Sequence, residues 1–204
     1  MIGEEIETES FRIIQLELGS HNFREDELAV ILRIIHASAD FDYARILRFS
    51  PQAIDAGVNA LKNGCNLITD VRMVEVGVSR KKLQGFHSSL YCIIDEEATQ
   101  ELAQSEGITR STAAMRLLKE KLAGAVVAIG NAPTALFELL RIVQNEHIQP
   151  SLVIGLPVGF VNAIESKEAL IKSDLEYITS VGRKGGSSIA VACVNALLRL
   201  AENG

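Results

Sequence analysis

Hydrophobic runs alternate with amphipathic segments along the chain, and this alternation predicts strands followed by helices. The apolar residues 125–129 suit a strand that is buried on both faces of a parallel sheet. A turn of small residues, Gly130-Asn131-Ala132, follows, and Pro133 stands where a first helical residue would. The apolar positions after it share one face of a helix: Leu136, Leu139, Leu140 and Val143. This is half of a βαβ unit, and we expect a ligand at its turn.

The same two patterns recur from end to end. Further strands are predicted at residues 46–49, 66–69, 90–94, 152–155 and 177–181. Helices are predicted near residues 22–38, 51–64, 109–122, 162–172 and 187–202. Asn22 is the predicted N-cap of the first, Ser50 is the predicted N-cap of the second, and residues 1–9 are expected to be frayed. No Pro, Gly or Ser linker divides the chain, so we predict one α/β domain, a three-layer α/β/α fold with a mostly parallel sheet over residues 1–204.

Composition narrows the possible functions. The 204 residues are enough for a sizeable core, but only 5% are aromatic, none is Trp and the net charge is −6, which disfavours a nucleic-acid partner. No apolar run approaches the ~20 residues of a membrane span. The N-terminal segment lacks the basic residues of a signal peptide. The three cysteines match no metal-ligand spacing, so we expect a cytoplasmic protein with free thiols and neither metal nor cofactor: Cys65, Cys92 and Cys193.

Three predicted strands run into turns of small residues, which would lie along one rim of the sheet. The turns are residues 130–133, 155–159 and 182–186. They could bind an anion at helix N-termini, or they could merely connect the elements of the fold. Neither the dinucleotide fingerprint nor the P-loop pattern is present, so NAD or ATP is weakly supported.

A few polar residues are candidates for proton transfer or for binding an anionic ligand. His36 follows the apolar position Ile35 at a helix end, where it could pass a proton to a ligand or serve as a partly buried helix-end residue. Asp40 and Asp42 follow closely, either to orient His36 or as solvated loop carboxylates. Arg110 at a helix start opposes the helix dipole, which indicates an anionic ligand as the alternative to an ordinary surface arginine.

Several longer runs resemble motifs of the precorrin-8X methylmutases, also called cobalt-precorrin-8 methylmutases. Residues 34–42, Ile-Ile-His-Ala-Ser-Ala-Asp-Phe-Asp, are similar to the histidine motif of that family. Residues 127–136 and 155–161 are the longest and most specific of the other matches. Shorter matches follow in the family's order: Ser10-Phe11 with Ile14, Thr69-Asp70 with Met73-Val74 and Gly77-Val78, Thr109-Arg110-Ser111, Ala163 with Glu165-Ser166-Lys167, and Gly185-Gly186-Ser187. The resemblance spans residues 10 to about 198.

This resemblance implies a flavodoxin-like fold, a homodimer and a step of cobalamin biosynthesis. The implied reaction moves a methyl group from C11 to C12 of a tetrapyrrole macrocycle and yields hydrogenobyrinic or cobyrinic acid. His36 corresponds to the family's catalytic acid, which protonates or hydrogen-bonds the macrocycle and so favours a [1,5]-sigmatropic shift. One histidine suffices, because the substrate carries its own reactive carbons and the enzyme need only orient, polarise and enclose it.

The resemblance also implies a substrate-binding set. Arginines would hold the carboxylates of the macrocycle, small residues would let the backbone approach it, and Met73 and Phe160 would pack on its apolar face. The complete set is Ser10, Asp70, Met73, Ser79, Arg80, Arg110, Gly130, Asn131, Ala132, Pro133, Thr134, Pro157, Val158, Gly159, Phe160, Gly185, Gly186 and Ser187. Glu9 stands just before Ser10, where the family often has a basic residue, and residues 84–89 match no family pattern.

Two other functions remain open at the level of sequence. A non-catalytic corrinoid carrier would bind the product tightly without rearranging the substrate. A flavodoxin-like nucleotide-binding module would bind FMN or NAD instead of corrinoids. The sequence also leaves open whether the substrate carries cobalt, although Asp40-Phe41-Asp42 is slightly closer to the cobalt-type members.

Overall fold

Six strands form a single sheet in the computed structural model, which describes residues 3–203. The strands are β1 Leu47–Phe49, β2 Asn66–Thr69, β3 Ser89–Tyr91, β4 Val126–Ile129, β5 Leu152–Gly155 and β6 Tyr177–Ser180. Their order in the sheet is β1-β6-β5-β4-β2-β3, and all neighbours are parallel except β1 and β6. Without β1, the parallel strands follow the 2-1-3-4-5 order of flavodoxin-like folds.

Helices connect the strands and cover both faces of the sheet. They are α1 Gly3–Leu18, α2 Glu25–Ser38, α3 Tyr43–Ile46, α4 Ala53–Lys62, α5 Arg72–Gly77, α6 Arg80–Gly85, α7 Glu97–Glu106, α8 Arg110–Leu117, α9 Pro133–Glu146, α10 Ala163–Ile171 and α11 Ser187–Asn203. Within residues 3–203, no helix is both long and apolar enough to cross a membrane.

Alternate residues of the central strands enter two separate cores. Val126 and Ala128 of β4 contribute to the core beneath α2, α4 and α11, whereas Val127 and Ile129 contribute to the core beneath α8, α9 and α10. All four side chains are fully buried, as expected for a strand covered on both faces. The predicted three-layer α/β/α fold with a mostly parallel sheet is therefore confirmed.

The N-terminal segment differs from its prediction. Residues 3–9, expected to be frayed, belong to α1, while Met1 and Ile2 lie outside the described residues. Helix α2 begins at Glu25 with Arg24 as its N-cap, so Asn22 is not the cap. The Glu27 carboxylate accepts the backbone N–H of Arg24 at 3.2 Å. A cap of this kind is not predicted by a rule that expects Asn, Asp, Ser or Thr at the N-cap.

Two other predicted helix boundaries are wrong for local physical reasons. Helix α4 begins at Ala53, because the Ser50 hydroxyl donates to Glu176 at 2.5 Å and accepts the Tyr177 N–H at 2.7 Å. Ser50 therefore ties the chain to β6 instead of capping a helix. The predicted helix over residues 109–122 ends at Leu117, and a 3₁₀ turn occupies residues 119–121. Helices α3, α5, α6 and α7 were not predicted.

Candidate active site

His36 lies in the last turn of α2, at the border between the buried and the exposed face of the helix. Ile34 and Ile35 beside it are buried in the core, whereas the imidazole is exposed. Ala39 ends the helix in the left-handed conformation, with φ of 52°, and its N–H donates to the Ile35 carbonyl at 2.7 Å. The Phe11 ring of α1 meets the imidazole edge-on, at 5.1 Å between ring centroids. No side chain within residues 3–203 hydrogen-bonds the imidazole, so its nitrogens are free for a ligand.

A groove of about 480 Å³ opens beside His36, between α2, α5 and α11. Four of its lining residues, at positions 188, 191, 192 and 195, recur at the spacing of a single face of α11. The complete lining is Arg33, His36, Ala37, Met73, Gly77, Ser187, Ser188, Val191, Ala192 and Asn195. Met73 is 70% exposed, so it offers an apolar surface to a ligand. The groove is mostly apolar with a few polar groups, as is common for small-molecule sites.

Arg33 and Phe11 form the boundary between this groove and a second cavity. Arg33 also lines that cavity of about 320 Å³, which lies between α1, α2 and α11. Its guanidinium pairs with Glu7 and lies 4.9 Å from the centroid of the Phe11 ring. Because Phe11 also contacts His36, the N-terminal helix takes part in shaping the site. Ser10 does not do so directly, since its hydroxyl donates to the Ile6 carbonyl of the same helix at 2.8 Å.

Asp40 and Asp42 do not orient His36. Both accept hydrogen bonds from the Lys184 ammonium, at 2.5 and 2.8 Å, and Asp40 also receives the Asp42 N–H at 3.0 Å. The bond from Lys184 holds the pKa of the Asp40 carboxyl below its ordinary value. The two aspartates therefore connect the end of α2 to the turn before α11.

Asp70 lies at the carboxyl end of β2, where the order of the parallel strands reverses between β2 and β4. Its side chain is fully buried and accepts the N–H groups of Gly130, Asn131 and Ala132 at 2.9, 2.9 and 2.8 Å. Burial raises the pKa of Asp70, and the three N–H donors oppose that rise by stabilising the carboxylate.

This contact changes the expected role of the 130–134 turn. Flavodoxin-like folds bind ligands at the switch point of the sheet, where free N–H groups would accept a phosphate. Here the carboxylate of Asp70 already accepts the N–H groups of residues 130–132, so these three donors are not available to an external anion. Asp70 was expected to contact the substrate, but its side chain is buried and holds the turn through these three hydrogen bonds. Gly130 also faces inward, because an added Cβ would lie 2.8 Å from the Ser187 Cα.

The other two small-residue turns pack against each other beside the groove. Gly186 donates its N–H to the Leu156 carbonyl at 2.8 Å, and a Cβ on Gly185 would lie 2.4 Å from that oxygen. Gly159 has φ of 151° and Gly186 has φ of 123°, which are conformations that favour glycine. Pro157, in the first of these two turns, is buried, so it supports the turn and offers little surface to a ligand.

Exposed apolar side chains stand on the 156–160 turn. Val158 is 45% exposed and Phe160 is 85% exposed. The Arg183 guanidinium lies 5.2 Å from the centroid of the Phe160 ring, which links this turn to residues 182–186. An apolar side chain so exposed is available to a flat ligand that covers the rim.

The predicted arginines belong to a cluster around two carboxylates. Arg80 pairs with Glu75 at 2.9 Å, and Arg110 approaches Asp95 at 3.5 Å. Arg72, which sequence reasoning missed, reaches both carboxylates, at 2.6 Å to Glu75 and 3.4 Å to Asp95. Three cations thus face two anions, and the Arg80 and Arg110 side chains are more than half exposed. Among the described residues, the cluster therefore contains one more cation than anions.

Two further predicted residues connect neighbouring elements of the fold. The Ser79 N–H donates to Asn195 at 2.9 Å, so the start of α6 is joined to the groove wall. The Thr134 hydroxyl lies 2.9 Å from that of Thr109, which is the N-cap of α8. This pair joins the first turns of α8 and α9 and places Arg110 near the 130–134 turn.

Sequence reasoning missed most of the groove wall. Arg33 was detectable because it precedes His36 by three residues and so lies on the same helix face. The α11 residues form a regular helical face, but only the structure shows that this face lies opposite His36: Ser188, Val191, Ala192 and Asn195.

Comparison with known proteins gives one consistent family. The model of the family described as Precorrin-8X methylmutase matches residues 5–200. A cobalt-precorrin-8 methylmutase of Leptospira interrogans is 43% identical, over 98% of this chain and 95% of the relative. A precorrin-8X methylmutase of a Sinorhizobium species is 40% identical, over 97% and 94%. Relatives with and without cobalt in their names are thus similar to this chain to nearly the same degree.

The similarity extends to a solved structure. The structure of a precorrin-8X methylmutase from Thermus thermophilus superposes with a TM-score of 0.90 at 40% sequence identity, and the match covers 98% of both chains.

Replacing Asp70 tests whether its carboxylate holds the 130–132 turn. Asp70→Ala leaves three N–H groups without their acceptor, each at a loss of about 1–3 kcal/mol when buried. We expect the free energy of unfolding, measured by urea titration, to fall by roughly 3 kcal/mol or more. Asp174→Ala, at an exposed position, is the control and should change it by less than about 0.5 kcal/mol. Equal stability of the two variants would contradict this role.

Proposed function

This chain belongs to the precorrin-8X methylmutase family, and we propose that the groove beside His36 is its active site. The enzyme is an isomerase of cobalamin biosynthesis that acts on a precorrin-8 tetrapyrrole. The observation that carries the assignment of the site is the position of His36. Its imidazole is exposed at the groove and is hydrogen-bonded to no side chain within residues 3–203.

In the proposed mechanism, His36 supplies a hydrogen bond or a proton to the macrocycle. The methyl group leaves C11 as its bond to C12 forms, so the reaction needs no external methyl donor. The proton that His36 lends returns to it when the product forms, and the overall change is an isomerisation. A donor that is positioned before the substrate binds stabilises charge developing in the macrocycle at little cost in reorganisation.

The apolar lining supports the binding of a broad, flat ligand. Met73 from α5 and Phe160 from the rim are both largely exposed, and each would pack on the apolar face of the ring system. Phe11, fixed at the edge of the imidazole, limits the directions in which His36 can turn. Holding the catalytic group and the substrate in a near-attack geometry lowers the barrier to reaction.

The arginine cluster supports binding of the macrocycle's carboxylates. Arg80 and Arg110 each have an exposed guanidinium whose only partners among the described residues are Glu75 and Asp95, respectively. A substrate carboxylate would replace the loose 3.5 Å contact of Arg110 with a shorter, two-point interaction. Pairing of this type contributes to KM and to the orientation of the ring, whereas the chemistry remains with His36.

We expect His36→Ala to abolish turnover while leaving corrinoid binding measurable, because the imidazole contributes a proton or hydrogen bond and little contact area. The assay follows absorbance with precorrin-8 and with cobalt-precorrin-8 in parallel, which also shows whether the natural substrate carries cobalt. General acid catalysis contributes about 10²- to 10⁴-fold, so kcat should fall by at least about a hundredfold.

His21→Ala is the matched control, since His21 is exposed, stacks on Phe23 and does not line the groove. Its kcat should equal that of the wild type. Full activity of the His36→Ala variant would refute the role of His36. Corrinoid binding by the wild type without conversion of either substrate would favour a carrier function.

We expect Arg110→Leu to raise KM by about tenfold or more with a smaller change in kcat, because a hydrogen bond to a charged group contributes about 1.5–3 kcal/mol. Steady-state kinetics at two ionic strengths measure the effect, which should shrink at high salt. Lys62→Leu removes one exposed charge far from the cluster in sequence and serves as the control. An unchanged KM for Arg110→Leu would show that the cluster does not bind the substrate.

We also propose that the enzyme is a homodimer. Three large apolar side chains of α1 are about half exposed or more, which supports a contact there with a second copy: Ile6, Ile13 and Leu16. Light scattering should therefore give a mass twice the 22.2 kDa of one chain. Leu16→Glu should shift it towards the monomer, whereas Glu17→Gln, next to it on the exposed surface, should not. A monomeric wild type would refute the proposal.

A further inference from the structure

Lys184 connects the two loops that lead to opposite walls of the groove. Its ammonium donates to Asp40 at 2.5 Å and to Asp42 at 2.8 Å, in the loop that follows α2. Lys184 itself lies in the loop that precedes α11. One wall ends with His36 and Ala37 on α2, and the other begins with Ser187 on α11. These walls are about 150 residues apart in sequence, so contacts such as this one fix their separation.

The backbone of Lys184 is held from the opposite side by a buried lysine. Lys167 of α10 is only 1% exposed, and its ammonium donates to the Lys184 carbonyl at 2.8 Å and to the Ser180 hydroxyl at 3.2 Å. The Ser180 hydroxyl donates to the same carbonyl at 2.7 Å. The Lys184 carbonyl therefore accepts two hydrogen bonds from the protein interior, whereas the Lys184 side chain extends to Asp40 and Asp42 at the surface.

A lysine in this position carries a clear energetic cost. Within residues 3–203 the Lys167 ammonium has hydrogen bonds only to these neutral oxygens, and burial lowers its pKa to about 8. Burying a charge without an opposite charge is unfavourable, and an apolar side chain of similar volume would avoid the penalty. An apolar side chain could not, however, hold the Lys184 carbonyl. The cost is consistent with a need to fix this loop.

We propose that Lys167 and Lys184 are positioning residues, which act together to set the distance between His36 and the start of α11 for the methyl migration. This inference rests on the proposed assignment of the groove as the active site. Tyr43 adds to the same connection, since its hydroxyl donates to the Gly185 carbonyl at 3.4 Å. Neither lysine lines the groove, so both act through the backbone and through Asp40 and Asp42.

The expected effect is on the chemical step more than on stability. The ion pairs of Lys184 are partly exposed, and pairs of this kind contribute little to folding. A displacement of about 1 Å between reacting groups can nevertheless lower a rate by about a hundredfold. Losing the connection should therefore lower kcat while KM and the melting temperature stay close to their wild-type values.

The first test compares Lys184→Met with Lys184→Arg, and uses Lys172→Met as the matched control. Lys172 is exposed at the C-terminal end of α10 and pairs with no carboxylate within residues 3–203. We expect kcat of Lys184→Met to fall by about tenfold or more. Lys184→Arg should recover most of it, because a guanidinium can also reach both carboxylates, and Lys172→Met should match the wild type.

A double-mutant cycle then tests the coupling between Lys184 and Asp40. Asp40→Asn alone should lower kcat, and the double variant should be no worse than Lys184→Met, because both substitutions break the same connection. Multiplicative losses would show that the two residues act independently and would overturn the proposal.

Lys167→Met is measured by hydrogen exchange as well as by kinetics. Faster exchange in residues 38–46 and 182–187, with the sheet protected as in the wild type, supports the proposal. Should this variant fail to fold, the Lys184 variants still decide the outcome. A kcat of Lys184→Met within twofold of the wild type would overturn the inference. Failure of the wild type to convert either substrate, or full activity of His36→Ala, would refute the proposed function instead.

Discussion

The carboxylate of Asp70 determines what kind of site this fold can offer. It occupies three backbone N–H groups at the switch point between β2 and β4, where a flavodoxin-like sheet has its natural anion site. A buried carboxylate is stable there only because all three donors point at it. The turn that looks most like a phosphate site is therefore internally satisfied, and ligand binding has to use the surface around it.

That surface is built by helices lying on one face of the sheet. His36 on α2, Met73 on α5 and the exposed face of α11 enclose the groove, and the turn after β6 leads directly into the lining residue Ser187. Gly130 allows the start of α11 to lie against the β4 turn, so Asp70 also fixes Ser187 indirectly. The same arrangement leaves the imidazole open and its surroundings largely apolar, which suits an isomerase that polarises and orients a large ring.

Electrostatics in this acidic chain are local. The net charge is −6, yet Arg72, Arg80 and Arg110 gather around Glu75 and Asp95 at one edge of the site. Lys184 meets two aspartates at another edge. In the first cluster the cations outnumber the anions, which supports binding of carboxylates. In the second the charges hold two loops together.

The sequence alone was sufficient to predict the six strands, the three-layer arrangement and His36 as the candidate acid. Apolar runs such as residues 125–129 can be buried only between two helical layers, and an α/β alternation leaves few other arrangements. The motif around His36 resembled that of one family, and comparison over nearly the whole chain confirms that family. The proposed catalytic role of His36 remains a prediction, as do the individual substrate contacts.

Only the tertiary structure decided which polar groups are free. Asp70, Asp40 and Asp42 looked like candidates for the site, yet each is bound by groups distant in sequence: the 130–132 turn or Lys184. Local patterns predict which groups a residue carries, whereas hydrogen bonding across the fold determines which of them remain available. For the same reason Ser50 binds Glu176 instead of capping α4. Lys167, which the sequence marks only as part of a short family match, lies buried beneath the loop before α11.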